Sequence, residues 1–233
     1  MKFLASDFDN TLYIKDDESF TKNILSLKDF ISKGNMFCII TGRNYTGIKV
    51  LLEKYNIPYT YLICEDGAKI FNSVDYCISS TMLPPQEVAK IKEVFENNNL
   101  ECFLEDGYNI TENTNDCVKV LAAYQDKDLA NKIVDELQKN TNTYAYVSTK
   151  HINVTSQATN KKVALEELMS LENISKDNMY VIGDDINDYE MLHEFNGAIM
   201  KEHHPKLSSL QKKEYTYFYE YIEELINNWT RKK

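Results

Sequence analysis

The sequence has little arginine, glycine, proline or tryptophan. Its 233 residues contain 7 Gly, 4 Pro and 1 Trp, and of 26 basic residues only Arg43 and Arg231 are arginine. No apolar run approaches the roughly 20 residues of a membrane-spanning helix, and early acidic residues predict no signal peptide. The five cysteines form no Cys-x-x-Cys pair, which indicates buried thiols in a reducing compartment. We therefore expect a cytoplasmic protein, neither membrane-embedded nor disulfide-stabilised.

Basic residues are also fewer than acidic residues. The 36 acidic residues outnumber the basic ones and give a formal net charge of −10, which argues against nucleic acid or an anionic membrane as a partner. The apolar content of 43% is typical of a globular protein with a large core. We expect a monomer of one or two domains that binds a small molecule.

Apolar runs alternate with helical stripes at both ends of the chain. Buried strands are indicated by the apolar run that begins at Phe3 and ends in Asp7 and Asp9, and at 36–40 and 61–64, with amphipathic helices between them. Another helix and strand follow at 161–169 and 179–182. This alternation predicts an α/β fold with a doubly wound parallel sheet.

The middle of the chain has a different pattern. A hairpin is indicated at 69–79, helices at 86–97 and 127–139, and short strands between 101 and 155. Helices mixed with hairpin-linked strands are typical of an α+β module. We therefore predict a core domain formed by residues 1–80 and 154–233, with an α+β domain inserted at residues 81–153.

The first predicted strand ends in two acidic residues. Alternation along a strand would place Asp7 and Asp9 on the same side, at the edge where open α/β sheets bind ligands. Two such carboxylates repel each other unless a cation or a shared proton intervenes. The alternative is an ordinary turn containing two aspartates.

Three further elements come at predicted strand ends or helix starts: Thr41-Gly42-Arg43, a lysine at 161 or 162, and Gly183-Asp184-Asp185-Ile186-Asn187-Asp188. Singly, each has a structural explanation as a helix cap, a surface lysine or a pair of capping aspartates. Together they supply oxygen ligands for Mg²⁺, a hydroxyl, a cation and a carboxylate nucleophile. This combination predicts phosphoryl transfer.

These motifs resemble those of the haloacid dehalogenase (HAD) superfamily. Asp7-Phe8-Asp9-Asn10-Thr11-Leu12 is similar to its DxDGTL box, and residues 183–188 to its GDxxND motif, while Thr41-Gly42-Arg43 and Lys161 match the second and third motifs. The insert lies between the second and third motifs, as in the type-II-capped, Cof-like subfamily. The resemblance implies a HAD-like Rossmannoid core and a cap domain that closes over the substrate.

The resemblance also implies residue roles. Asp7 would be the nucleophile and Asp9 the general acid and base, Thr41, Gly42 and Lys161 would hold the phosphate, and Arg43 would support them. Mg²⁺ would be bound by Asp7, Asp184 and the backbone carbonyl of Asp9, with Asp188 and Asn187 assisting. Lys161 fits the family spacing before Ala164-Leu165 better than Lys162, and Asp185 reads as a helix cap.

Substrate contacts in the cap are predicted at Tyr108, Lys150, His151 and Asn153. Two departures from the family pattern affect substrate inference. Asp66-Gly67-Ala68 replaces Asn-Gly-Ala and adds a negative charge, and the GxAMGNA stretch appears only as Gly197-Ala198-Ile199-Met200-Lys201.

The leading hypothesis is a Mg²⁺-dependent phosphatase that hydrolyses small phosphomonoesters such as sugar phosphates through an aspartyl-phosphate. A phosphomannomutase-like mutase is the first alternative, but residues 81–153 lack the arginines suited to a second phosphate. A non-enzymatic phosphoaspartate signalling module is the other, but Asp9 would hydrolyse its phosphorylated form.

Overall fold

Strands and helices were assigned in a computed structural model, which describes residues 1–230. The first part of the chain forms β1 (Phe3–Asp7), α1 (Asp17–Ser32), β2 (Met36–Ile40), α2 (Tyr45–Tyr55) and β3 (Tyr61–Cys64). The middle forms β4 (Lys69–Asn72), β5 (Cys77–Ser80), α3 (Pro85–Asn97), β6 (Cys102–Glu105), β7 (Ile110–Thr111), β8 (Lys119–Ala123), α4 (Lys127–Asn140), β9 (Thr143–Val147) and β10 (His151–Ser156). The last part forms α5 (Lys161–Glu172), β11 (Met179–Gly183), α6 (Tyr189–Glu194), β12 (Asn196–Met200), β13 (Lys213–Tyr215) and α7 (Phe218–Thr230).

The chain divides into two compact units. The first unit comprises Met1–Thr41, Leu52–Leu62 and Leu165–Lys233, and the second comprises Gly42–Leu51 and Ile63–Ala164. The division passes through α2, β3 and α5. The predicted domain boundaries at residues 80 and 154 stay a prediction.

The first unit contains strands in the order β13-β12-β11-β1-β2, and each neighbouring pair is parallel. The side chains of β1 are all buried, as are nearly all of those of β2, which explains their continuous apolar sequences. Helices α1 and α7 pack against each other. The α/β fold class with a doubly wound, mostly parallel sheet is confirmed.

Strand register aligns the ends of three neighbouring strands. Ser6 pairs with Ile182 and Asp7 with Ile40, so β1, β2 and β11 end at nearly the same level. Because parallel strands point the same way, their carboxyl ends form one edge. Thr41 and Asp184, each the first residue after its strand, therefore start their loops at the edge where β1 ends with Asp7.

The second unit contains a five-stranded antiparallel sheet in the order β7-β6-β8-β10-β9. Helices α3 and α4 pack on each other and on this sheet around a shared apolar core that includes Ile91, Phe95, Val120, Ile133 and Val154. The Asp126 side chain caps the start of α4 by accepting from two backbone N–H groups. The predicted helices at 86–97 and 127–139 are confirmed, as is the α+β character of this segment.

A further prediction concerns a local element. The predicted hairpin is present, because β4 and β5 pair antiparallel. Over residues 1–230, no helix combines the length and the apolar character needed to cross a membrane.

Candidate active site

Three carboxylates meet in the first unit. Asp7 ends β1, whereas Asp184 and Asp188 belong to the loop after β11, and one oxygen from each lies within 4.8 Å of the others. All three side chains are buried, and Asp188 is completely inaccessible to solvent. Asp7 thus forms one acidic cluster with two aspartates that lie 177 and 181 positions further along the sequence.

The loop after β11 holds two of these aspartates in place. Asp188 Oδ2 accepts hydrogen bonds from the backbone N–H of Asp184 at 2.9 Å and of Asp185 at 3.1 Å. Asp185 in turn caps the following turn by accepting from the Ile186 N–H at 2.7 Å, in a reciprocal capping box with Asp188. The predicted capping role of Asp185 is confirmed.

Gly183 is required by the packing of Asp188. A Cβ atom on Gly183 would lie 2.3 Å from Asp188 Oδ2, far inside van der Waals contact. We therefore expect Gly183→Ala to displace the Asp188 carboxylate, to cost about 1–3 kcal/mol of unfolding free energy and to weaken, by about tenfold or more, binding of the Mg²⁺ that the sequence motifs predict. Denaturant unfolding in EDTA and calorimetric Mg²⁺ titration measure the two effects.

Gly197→Ala is the matched control for that substitution. Its Cβ would lie 3.0 Å from the backbone oxygen of Leu192, so crowding again costs stability, but no acidic side chain of the cluster is displaced. Equal Mg²⁺ affinities of the two variants would contradict the positioning role assigned to Gly183.

Two neighbouring residues of the first loop bind Asp184. The Thr11 hydroxyl donates to Asp184 Oδ1 at 2.7 Å, and the Asn10 side-chain amide lies 3.5 Å from Oδ2. Asn10 adopts a left-handed backbone conformation with φ of 59°, which asparagine tolerates better than most residues. The sequence motif contained both residues, but spacing alone did not indicate that they hold the distant Asp184.

Asp9 lies outside the strand. Because β1 ends at Asp7, the alternation argument that oriented Asp7 and Asp9 alike does not extend to Asp9. The chain instead turns, with the Tyr13 N–H donating to the Phe8 carbonyl at 2.7 Å, and leaves Asp9 half-buried beside Tyr13. The carboxylate cluster comprises Asp7, Asp184 and Asp188, so a role for Asp9 as a metal ligand rests on its backbone carbonyl, as the resemblance implied.

The charge of the cluster matches a divalent cation. At separations within 4.8 Å, each ionised pair repels by roughly 3–4 kcal/mol or more at an effective dielectric constant near 20. Among the residues that the structure describes, the ligand atoms of this cluster are carboxylate oxygens only, a donor set suited to a hard ion such as Mg²⁺. The residues present therefore fit the expected cofactor.

The other predicted site residues are distributed over both units. Thr41 directly follows β2 and is buried, and Asn187 lies half-buried in the loop after β11. Lys161 is the first residue of α5 and is only 1% exposed, whereas Lys162 is half-buried. Gly42 and Arg43 belong to the second unit.

A pocket of 240 Å³ lies within the second unit. Four predicted residues line it, namely Gly42, Arg43, His151 and Asn153. Residues that the sequence did not single out complete the lining: Asn44, Gly47, Glu105, Lys119 and Leu121. One signal was available, since Lys119 interrupts the apolar stretch from Cys117 to Leu121.

Tyr108 and Lys150 do not line this pocket. The ring of Tyr108 packs against Tyr45 and Phe71, with the Lys69 ammonium 4.2 Å from its centroid. Lys150 is exposed between β9 and β10. Their predicted contacts with substrate stay predictions.

A parallel sheet with buried acidic residues at its carboxyl edge, combined with an α+β segment, is the arrangement of HAD-type phosphotransfer enzymes. The sequence profile of the haloacid dehalogenase-like hydrolases matches residues 4–115 and 104–218, and the chain belongs to that family. The predicted Cof-like HAD resemblance is confirmed, as is the enzyme class of phosphoric monoester hydrolase.

Known proteins resemble the chain over nearly its whole length. It is 24% identical over 208 residues to 5-amino-6-(5-phospho-D-ribitylamino)uracil phosphatase YcsE of Bacillus subtilis, covering 83% of this chain and 81% of that protein. A haloacid dehalogenase-like hydrolase from Bacteroides thetaiotaomicron superposes with a TM-score of 0.78 at 18% identity, covering 96% and 99% of the two chains. A HAD subclass IIB sugar phosphatase gives 0.79 at 16% identity, covering 99% of each. These two structures show that the fold is shared.

Proposed function

We propose that the chain is a Mg²⁺-dependent phosphatase that hydrolyses small phosphomonoesters, sugar phosphates or related metabolites, through an aspartyl-phosphate intermediate. The observation that carries this proposal is the buried cluster of Asp7, Asp184 and Asp188 at the carboxyl edge of the parallel strands. Family membership supports hydrolysis as the reaction.

Asp7 is the proposed nucleophile. Its carboxylate attacks phosphorus, an O–P bond to Asp7 forms, and the bond from phosphorus to the leaving oxygen breaks. Asp9 gives its proton to that leaving oxygen. Asp9 then takes a proton from a water molecule that attacks phosphorus, which releases phosphate and restores the Asp7 carboxylate.

Thr41, the Gly42 backbone N–H and Lys161 are the proposed ligands of the phosphoryl oxygens. Asp7, Asp184 and the Asp9 carbonyl would hold Mg²⁺, and Asp188 and Asn187 would support them through the loop after β11. The ion, when bound, neutralises charge on the phosphoryl oxygens. Arg43 is proposed to support the neighbouring phosphate ligands Thr41 and Gly42.

The relatives support a small, hydroxylated substrate. The Bacillus subtilis relative is named for a phosphorylated ribityl compound, and one structural neighbour is named a sugar phosphatase. We propose His151 and Asn153 as contacts to the leaving group, because both line the pocket of the second unit. The cytoplasmic location and the monomeric state stay predictions.

Removal of Mg²⁺ tests the proposed function. The chain, dialysed against EDTA, is expected to lose at least 99% of its p-nitrophenyl phosphate hydrolysis, because the uncompensated carboxylates repel the phosphate dianion. Added Mg²⁺ is expected to restore the rate, and Ca²⁺, which prefers more ligands and longer bonds, to restore less. Undiminished turnover after chelation would contradict metal dependence.

Product analysis separates the alternatives. Incubation with hexose and pentose monophosphates is expected to release inorganic phosphate stoichiometrically with the free sugar. Accumulation of an isomeric sugar phosphate would favour the alternative hypothesis of a phosphomannomutase-like mutase. A phosphoaspartate lasting minutes without turnover would favour the signalling module.

A further inference from the structure

The pocket of the second unit is lined by one face of the antiparallel sheet. Lys119 on β8 pairs with Glu105 on β6, and on the other side of β8 the strand β10 supplies His151 and Asn153. Residues two apart on a strand point to the same side, so His151 and Asn153 share a face. Charged and neutral polar groups are thereby collected in one pocket, and their charge balance determines what it binds.

Lys119 has its charge compensated by Asp66. Its ammonium lies 3.0 Å from Asp66 Oδ2, and the two side chains are 3% and 1% exposed. The same ammonium donates to the Gly42 carbonyl at 2.7 Å, and the Tyr146 hydroxyl donates to Asp66 Oδ2 at 2.9 Å. Asp66, the departure from the family's Asn-Gly-Ala, is therefore the anion of a buried ion pair.

Glu65 contributes less to that compensation than Asp66, which lies closer to the ammonium. Glu65 is completely buried, 3.5 Å from the Lys119 ammonium, and its carboxyl oxygens accept no hydrogen bond from described residues. Burial raises the pKa of Glu65 well above its usual range, outweighing the opposite effect of Lys119. Burial by itself would lower the pKa of Lys119, but Asp66 and then Glu65 raise it above the ordinary value, so the ammonium is retained.

The other charged side chains that line the pocket are one cation and one anion, so their formal charges sum to zero. Arg43 contributes one positive charge and Glu105 one negative charge, with Glu105 accepting from the Asn44 amide at 2.7 Å. Burial, together with Lys119, lowers the pKa of His151, which favours the uncharged ring. The pocket thus offers planar hydrogen-bonding groups without a surplus cation.

We propose that Asp66 is a specificity-determining residue that neutralises Lys119 and so makes this pocket take an uncharged, polyhydroxylated leaving group. A carboxylate or second phosphate there would require an uncompensated cation to offset its desolvation. Hydroxyl groups, which donate and accept, satisfy Glu105, His151 and Asn153 without one. The inference rests on the proposed function, since Gly42 of the pocket is bonded directly to the proposed phosphate ligand Thr41.

Two phosphomonoesters that differ only at C1 test the inference. Glucitol 6-phosphate ends in a hydroxymethyl group and gluconate 6-phosphate in a carboxylate. Each is measured as a competitive inhibitor of p-nitrophenyl phosphate hydrolysis with Mg²⁺ present, so that preference is observed whether or not either is the natural substrate. For the unmodified chain, glucitol 6-phosphate is expected to bind at least tenfold more tightly.

Charge variants should move this preference in opposite directions. Asp66→Asn removes the nearest anion from Lys119 and is expected to shift the ratio of inhibition constants at least tenfold toward gluconate 6-phosphate. Lys119→Met leaves Asp66 as a surplus anion and is expected to shift the ratio the other way. Asp135→Asn removes the same charge from an exposed site on α4 and should leave the ratio unchanged.

Several outcomes would overturn the inference. They are a ratio in Asp66→Asn within threefold of that of the unmodified chain, equal binding of both compounds by the unmodified chain, or competition by neither. If Asp66→Asn does not fold, an unshifted ratio in Lys119→Met overturns it. Failure to hydrolyse p-nitrophenyl phosphate at all would instead refute the proposed function, and with it this extension.

Discussion

Asp7→Asn is expected to lower kcat by more than about 10³-fold, as losses of catalytic nucleophiles do. An amide oxygen is a poor nucleophile, and the other two carboxylates of the cluster belong to the loop after β11 rather than to β1. The substitution preserves the shape of the side chain, so the buried packing around β1 is retained. Phosphate release under saturating substrate and Mg²⁺ measures the loss.

Stability provides a second readout for Asp7→Asn. Removing one of three mutually repelling, buried carboxylates is expected to raise the Tm in EDTA, by about 2–4 °C for each kcal/mol of repulsion relieved. The rise in Tm on adding Mg²⁺ should shrink, because a ligand that binds the folded state stabilises it by an amount that grows with the logarithm of its affinity.

Asp177→Asn is the control for that variant, since it removes one exposed carboxylate of the first unit. It should change neither kcat nor the Mg²⁺-dependent rise in Tm. Turnover of Asp7→Asn above a few percent of the unmodified rate would refute the nucleophile assignment. A lower Tm in EDTA than that of the unmodified chain would refute the repulsion argument.

Lys161→Met is expected to lower kcat/KM by at least about 10²-fold, the usual effect of removing one donor to a developing oxyanion. Lys161 is the first residue of α5 and 1% exposed. Burial and the positive end of the helix dipole both disfavour a cation there, so packing alone does not account for lysine at this position. Steady-state kinetics with p-nitrophenyl phosphate measure the effect.

Lys162→Met is the matched control, one residue along the same helix and half-buried. It should change kcat/KM by less than threefold. Inhibition by inorganic phosphate provides an independent readout, and we expect it to weaken in Lys161→Met only. Equal losses in both variants, or a larger loss in Lys162→Met, would show that the phosphate-binding lysine was misassigned.

Much of the fold was predictable from local patterns. The continuous apolar runs of β1, β2 and β11 indicated parallel strands buried on both faces, because such strands need no polar side. Periodicity likewise predicted the amphipathic helices α3 and α4 and the hairpin of β4 and β5. The exact end of β1 was not, because the turn that removes Asp9 from the strand depends on hydrogen bonds to Tyr13 and on the backbone of Asn10.

The sequence by itself determined the class of fold and identified the acidic motifs. The fold class follows from the periodicity of apolar residues, and the motifs are recognised from the spacing of residues close together in the chain. Only the tertiary structure decided that Thr11 holds Asp184, that Lys161 rather than Lys162 is fully buried, and that Lys119 is neutralised by Asp66. The physical reason is that these facts depend on strand register and helix phase. A residue's charge partners are then set by chain segments 53 to 173 positions away, where local pattern carries no information.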